Sequence, residues 1–144
     1  MDKDKVENKR NYYRVCLEKP LCGGFKIIEC NGRSLSTRLI KACITDIGPG
    51  GLSFATKLSL PVDDNVIFLF NVKVDDENIF FRVEIMWRRE SGELPIYKYG
   101  VNFVMDEVER TSAIKLFNKL SIYVKRGNED KYCYICKENS FPCT

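Results

Sequence analysis

The chain has 144 residues, of which 44% are hydrophobic and 12% aromatic, a composition typical of one globular domain that excludes a disordered chain. Lysine and arginine number 23 against 20 aspartates and glutamates, and the net charge of +3 is too small to predict general DNA, RNA or membrane binding. Histidine is absent, which excludes Cys/His and Ser/His nucleophile pairs and every histidine-containing metal site. Since no pair of carboxylates stands out either, we predict a protein that is not an enzyme.

The N-terminal residues 1–8 are polar and charged, which predicts a flexible arm. A basic and aromatic segment follows, from Lys9 to Arg14. No apolar segment of the kind found in secretory signals follows the charged start, and the longest apolar run, Val66–Phe70, is too short to span a bilayer. We therefore expect a cytoplasmic protein without membrane insertion, in which the seven cysteines are mostly reduced.

Six segments between Phe25 and Phe103 have the alternation or composition of β-strands. Turn signals such as Asn31-Gly32 separate them. Strict alternation would place Ile85 and Trp87 on the same face of their strand. The predicted strands are Phe25–Glu29, Leu39–Ile44, Leu52–Thr56, Asn65–Val74, Ile79–Trp87 and Tyr97–Phe103.

The hydrophobic period changes from two to 3.6 after Phe103, which predicts an amphipathic helix over Glu107–Lys125. Asp106 is a suitable N-cap for this helix and Gly127 a suitable stop. Several strands followed by one helix predict a small antiparallel β-barrel of six to seven strands with a C-terminal α-helix.

A tight turn, Gly48-Pro49-Gly50-Gly51, follows the carboxylate of Asp46 and separates the second and third predicted strands. Because Pro49 fixes its own φ and Gly50 can adopt a positive φ, we predict a type II turn. A turn with so few side chains exposes backbone N–H groups and lets another molecule approach closely. Taken alone, Asp46 would more often stabilise its own turn than bind a ligand.

Two motifs in order resemble those of the PilZ domain family, whose members bind the bacterial second messenger cyclic diguanylate (cyclic di-GMP). The family pattern is Arg-x-x-x-Arg, followed some tens of residues later by Asp or Asn-x-Ser-x-x-Gly. Arg10 and Arg14 match the first motif, with the basic Lys9 beside them, and Asp46 and Gly51 match the second. The resemblance implies a non-enzymatic receptor for cyclic di-GMP, with no other cofactor, that passes the signal to an unidentified effector protein.

The resemblance extends over roughly Lys9 to Val124. The segments Val83–Trp87 and Tyr99–Phe103 are similar to the later strands of the family, and the predicted helix lies where the family has one. It implies a PilZ-like domain of the split-barrel type over residues 9–126, preceded by the arm 1–8 and followed by a cysteine-containing tail, 127–144.

The proposed ligand suits the side chains that the resemblance assigns to it. An arginine fork matches the N7 and O6 acceptors of guanine, and the Asp46 carboxylate can accept hydrogen bonds from the donors on the other edge of the base. The remaining cations can bind the two phosphates, and Trp87 can stack on a base, although a core tryptophan at the barrel end is at least an equal alternative. The ligand-binding residues implied are Lys9, Arg10, Arg14, Asp46, Gly48, Gly51 and Trp87.

Position 48 departs from the family pattern, because Gly48 stands where the family usually has serine. Losing one hydroxyl hydrogen bond costs about 1 kcal/mol, or roughly five- to tenfold in affinity. A second function therefore stays open, a PilZ-like protein-interaction module that does not bind the nucleotide. In that case Arg10 and Arg14 would form a solvated basic edge.

The C-terminal tail contains Cys133 and Cys136, which have the spacing of a zinc knuckle, and Cys143. A closed tetrahedral site needs a fourth ligand, which would have to be a distant cysteine or a carboxylate. We predict reduced or packed thiols and no bound metal. A zinc-stabilised adaptor is a third hypothesis.

Overall fold

The computed structural model of the chain describes residues 15–62, 65–74, 77–91 and 96–127. Within these ranges the backbone forms seven strands and one α-helix. The elements are β1 (Val15–Cys30), β2 (Arg33–Ser34), β3 (Ile40–Gly48), β4 (Gly51–Thr56), β5 (Val66–Val74), β6 (Glu77–Ser91), β7 (Ile96–Phe103) and α1 (Glu107–Lys125).

The strands form a closed antiparallel barrel. Six of them are hydrogen-bonded in the order β1-β3-β4-β7-β6-β5, and β5 pairs with β1 to complete the ring. The short β2 is added beside β1 through a two-residue hairpin, in which Asn31 and Gly32 have φ values of 52° and 80°. Two successive positive φ angles are those of the type I′ turn that Asn-Gly favours. The predicted antiparallel barrel of six to seven strands with a C-terminal helix is confirmed.

The first strand is longer than predicted. Its bounds are Val15–Cys30 rather than Phe25–Glu29, so it continues through Pro20 and the pair Gly23-Gly24, which are ordinarily strand breakers. Pro20 is accommodated because it lies where the register between β1 and β3 shifts, between Cys16 and Leu21, whereas Gly23 and Gly24 are paired with both β3 and β5. Beyond this shift β1 pairs with β5 as well as with β3, and it forms the junction that closes the barrel.

The main core is one cluster built from the inward-facing residues of all six barrel strands and from α1. Its centre is aromatic, with Phe25, Phe54, Phe70 and Tyr99 in contact at ring-centroid distances of 5.0–5.9 Å. The alternation predicted for β5 is observed, since its odd positions are exposed or half-buried and its even positions are buried. In a strand buried on one face only, such as β5, this burial fixes the register and the face on which each polar residue lies.

The helix packs on the barrel through the apolar residues predicted from its period, Ala113, Leu116, Phe117 and Leu120. Asp106 is the N-cap, and it forms a capping box in which its carboxylate accepts from the Glu109 backbone N–H at 2.8 Å. At the other end the C-cap is Arg126, and the predicted stop, Gly127, follows it with a φ of 69°. Within the described part of the chain, no helix has the length and apolarity needed to cross a membrane.

Candidate functional site

Four residues form one row across the outer face of the barrel. Asp46 on β3 is paired with Ser53 on β4, Ser53 with Gly100 on β7, and Gly100 with Trp87 on β6. Directly opposed residues in an antiparallel sheet project on the same face, so all four lie on the outside of the barrel. At strand spacings of ~4.8 Å, the row extends over roughly 14 Å from Asp46 to Trp87.

The middle of the row is formed by small residues. Ser53 is 1% exposed and Gly100 is buried, whereas Asp46 and Trp87 at the two ends are half-buried. The row therefore has no large side chain in its middle, a carboxylate at one end and an aromatic ring at the other. A flat ring with hydrogen-bond donors on one edge fits this arrangement of a carboxylate acceptor and a stacking surface.

The turn that follows Asp46 is a two-residue hairpin loop, since Gly48 and Gly51 are paired. The predicted type II turn is wrong. Among the described glycines, positive φ angles occur at Gly32 and Gly127, and not at Gly50, where a type II turn requires one. The loop is held by contacts from other elements, and Phe103 donates its N–H to the Gly50 carbonyl at 3.0 Å.

The helix supports the same turn from a second direction. The Nη1 of Arg110 on α1 donates to the Pro49 carbonyl at 3.2 Å. Carbonyls of both loop residues are thus held by other elements, and the position of the loop depends on β7 and α1 as well as on its own sequence. A loop held in this way is pre-organised for binding, because little conformational entropy remains to be lost.

Trp87 lies on the outer face, and not in phase with Ile85 as strict alternation predicts. A bulge causes the difference, since Ile85 pairs with Val101 but Trp87 pairs with Gly100, which leaves Met86 as an extra residue. The indole lies directly over Gly100, where a Cβ would overlap its Nε1 and Cε2 atoms. The alternative of a core tryptophan is therefore wrong, and the half-buried ring lies on the outside of the barrel.

Positive charge lies beside the indole. The guanidinium carbon of Arg89, two residues further along β6, is 5.3 Å from the centroid of the Trp87 ring, within the range of a cation–π contact. Arg89 is directly opposite Lys98 on β7. Two like charges in opposed positions repel each other, so this end of the row favours an anion.

The arginine motif lies outside the described residues, as do Lys9, Arg10 and Arg14 themselves. The structure does describe the backbone that follows them, because β1 begins at Val15, which is paired with Ile47. Of the residues predicted to bind the ligand, Asp46 lies at one end of the row, Gly48 and Gly51 in the turn beside it, and Trp87 at the far end.

Two members of the row were missed. Ser53 could have been found, because a two-residue loop at Pro49-Gly50 necessarily places position 53 opposite Asp46. Gly100 could not have been found, since its position opposite Trp87 depends on the bulge, for which the sequence gives no clear signal.

The predicted tail cysteines, Cys133, Cys136 and Cys143, lie outside the described residues. Within the described ranges, no three cysteine, aspartate or glutamate side chains are grouped closely enough to hold a metal ion.

Comparison with known proteins gives one family and several similar folds. The model of the family described as PilZ domain matches residues 8–118. The PilZ domain of CeSA from a cellulose-synthesizing bacterium has a TM-score of 0.52 at 15% identity, covering 76% of this chain and 98% of that one. Comparison with curated protein sequences gives no match.

Two larger proteins have the same fold in part. The inhibitor of motility MotI/DgrA from Bacillus subtilis has a TM-score of 0.56 at 11% identity, covering 78% of this chain and 51% of that one. YcgR from Escherichia coli, solved in complex with c-di-GMP, has a TM-score of 0.56 at 12% identity, covering 85% of this chain and 50% of that one. The chain thus spans about half the length of each, and at these identities the likeness concerns the fold alone.

Proposed function

The chain belongs to the PilZ domain family, whose model matches most of its length, and on this premise we propose that it is a non-enzymatic receptor for cyclic di-GMP. The observation that supports this best is the row on the outer face of the barrel, with Asp46 at one end and Trp87 at the other. The complex of the similarly folded YcgR with c-di-GMP adds to the case.

In this proposal the Asp46 carboxylate accepts hydrogen bonds from the N1–H and N2–H donors of one guanine. Adenine has no matching pair of donors on that edge, so Asp46 selects guanine. Arg14 directly precedes Val15, and Val15 is paired with Ile47 beside the hairpin loop. Because consecutive Cα atoms are about 3.8 Å apart, the Arg14 side chain would have only a short distance to cover to a ligand bound at this loop.

The phosphates of the messenger require cations. Arg10 and Lys9 are proposed to supply them on the β1 side of the site, since charge-assisted hydrogen bonds from arginine to phosphate are among the strongest in proteins. On the β6 side, the opposed pair Arg89 and Lys98 would lose its mutual repulsion when an anion binds. The Trp87 indole is proposed as the surface on which the second base stacks, in exchange for its contact with Arg89.

We propose that the signal passes to a protein partner through the surface next to the β3–β4 hairpin. Ligand contact from the segment with Arg10 and Arg14 would change the shape and charge that this surface presents. The contacts from Phe103 and Arg110 hold the hairpin itself in place, so the change would fall on the arginine segment.

A second function, a PilZ-like interaction module without nucleotide, is favoured by one observation, the glycine at position 48. Gly48 is the last residue of β3 and is paired with Gly51, so its backbone is extended and compatible with serine. Restoring the hydroxyl is therefore a direct test between the two functions.

The deciding experiment is calorimetric titration of the full chain with cyclic di-GMP. Cyclic di-AMP, which changes the base, and linear GMP, which lacks the cyclic dinucleotide ring, are titrated separately as controls. We expect binding of the cyclic guanine dinucleotide and much weaker binding of both controls. Arg14→Ala is expected to lower the affinity by ~2 kcal/mol or more, because it leaves ligand charge unpaired. Arg33→Ala, which removes an exposed arginine on β2, is the matched control and should leave the affinity unchanged.

Asp46→Ala is expected to weaken binding and to reduce the discrimination between guanine and adenine dinucleotides, because the carboxylate contacts the edge of the base. Gly48→Ser should tighten binding by ~1 kcal/mol, and Gly48→Ala, which adds the same Cβ without a hydroxyl, should not. Absence of binding at high micromolar cyclic di-GMP in both the wild type and Gly48→Ser would overturn the receptor function in favour of the interaction module.

A further inference from the structure

We propose that Cys22 and Cys43 form a modification site, a pair of thiols that a peroxide converts to an intrachain disulfide between β1 and β3. The two residues are direct partners in the antiparallel pairing of these strands. Neither is part of a disulfide, and they pack against each other in a small cluster separate from the main core. This inference does not depend on the proposed ligand.

The backbone geometry already suits the bond. Directly opposed residues in an antiparallel pair have Cα atoms ~4.5–5.5 Å apart, and disulfides are found at Cα separations of roughly 4.4–6.8 Å. Directly opposed residues also project on the same face, so the two Cβ–Sγ bonds leave the sheet side by side. The Cα separation expected for Cys22 and Cys43 therefore lies within the range found for disulfides.

The pair consists of one accessible and one enclosed thiol. Cys22 is half-buried, whereas Cys43 is 0% exposed. A peroxide therefore reaches Cys22 first, and Cys43 is held beside it as the resolving thiol. This division of roles is the one found in reversible redox pairs, where an accessible cysteine has a second cysteine next to it.

The chemistry balances with hydrogen peroxide as the oxidant. The Cys22 thiolate attacks one peroxide oxygen, the O–O bond breaks, and a sulfenic acid forms with release of hydroxide, which takes up a proton to become water. The Cys43 sulfur then attacks the sulfenic sulfur, the S–S bond forms, and the S–O bond breaks with release of a second water. Two thiols lose two electrons and two protons in total, and one peroxide is reduced to two waters.

The position of the bond gives it a structural consequence. On β1 it lies at one end of the regular pairing with β3, since the register shifts between Leu21 and Cys16. On β3 it lies three residues before Asp46. A disulfide would therefore fix the two strands together immediately next to the irregular stretch that leads to the outer row.

The test is peptide mapping of the full chain. Reduced protein is treated with a small excess of hydrogen peroxide, remaining thiols are alkylated, and the chain is cut with trypsin and a glutamate-specific protease. These enzymes separate peptide 19–26, which contains Cys22 alone, from peptide 42–57, which contains Cys43 alone. We expect the two peptides joined with a loss of 2 Da, and separated again by dithiothreitol.

Variants distinguish the pair from incidental oxidation. Cys43→Ser should leave Cys22 as a sulfenic acid that dimedone traps, and Cys22→Ser should leave Cys43 unmodified in the folded chain. Cys30→Ser, which removes another half-buried free thiol of β1, is the matched control and should not change the yield of the joined peptides. Recovery of Cys22 unlinked, or linked mainly to another cysteine, would overturn the proposal.

Discussion

Replacing Gly100 by alanine should displace the Trp87 indole from the outer face of the barrel. A Cβ at position 100 would overlap the indole Nε1 and Cε2 atoms, and the fused ring cannot bend away as a flexible side chain can. If the ring leaves its place, about 80 Å² of apolar surface returns to water, since a tryptophan typically buries 150–250 Å² and Trp87 is only half-buried. At ~25 cal/mol per Å² this costs about 2 kcal/mol.

The opposite contribution comes from the backbone, because alanine is more favourable than glycine within a strand by roughly 0.5–1 kcal/mol. The net expectation for Gly100→Ala is therefore a loss of about 1 kcal/mol in the free energy of unfolding, measured by urea denaturation. Trp87 is the only tryptophan of the chain, so its fluorescence reports on this site alone. Emission should move to longer wavelength as the indole enters water, and the affinity for cyclic di-GMP should fall if the ring stacks on a base.

Gly24→Ala is the matched control. Gly24 is also buried and on the outer face of its strand, but a Cβ there would lie 3.2 Å from the side chain of Leu39, which is 58% exposed and free to move. This variant should be neutral or slightly stabilised, with unchanged emission. Equal stability and equal emission for Gly100→Ala and Gly24→Ala would refute the placement of the indole over Gly100.

Two further substitutions test the supports of the barrel. Tyr99→Phe should lower the free energy of unfolding by about 2 kcal/mol, because the buried hydroxyl donates to the Leu58 carbonyl at 2.7 Å and accepts from the Leu60 N–H at 2.6 Å. Burial raises the pKa of Tyr99, so the unfolded chain loses the phenol proton at a lower pH than the folded chain. The difference in free energy of unfolding between the wild type and Tyr99→Phe should therefore be complete below about pH 10 and should decline at higher pH. An advantage that stays constant in urea titrations to pH 11 would contradict the role of the neutral phenol. Asp106→Ala should cost about 1 kcal/mol by removing the capping box with Glu109, and Asp106→Asn should restore part of it; equal stability of all three proteins in thermal unfolding would contradict this.

The helix was predictable because its signals agree with one another. The 3.6-residue period, the capping aspartate and the terminal glycine all point to the same segment, and the structure has α1 at the predicted bounds, Glu107–Lys125. The fold followed in the same way, from alternating strands before a single helix. The first strand was underestimated because Pro20 and Gly23-Gly24 are locally unfavourable in a strand; pairing on both sides outweighs that preference at the two glycines, and Pro20 lies in the irregular stretch between Cys16 and Leu21.

The face of the barrel on which a residue lies could be predicted only as far as the first bulge in its strand. A period of two assigns every residue of a strand to a face, but one extra residue reverses the assignment for everything beyond it. This happens at Met86, and it moves Trp87 from the predicted inner face to the outer one. The turn after Asp46 was mispredicted for a related reason, since the carbonyls of Pro49 and Gly50 are held by Arg110 and Phe103, which are distant in the sequence.

The double pairing of β1 has a consequence for how the chain folds. Three of the barrel pairings, β3–β4, β5–β6 and β6–β7, join neighbours in the sequence and can form as local hairpins. Two others are distant, since Phe25 pairs with Phe70 and Phe54 with Tyr99, each across 45 positions. During synthesis β1 therefore emerges long before β5, and β4 long before β7. Until these partners arrive, β1 and β4 each keep an open edge that can pair with another chain.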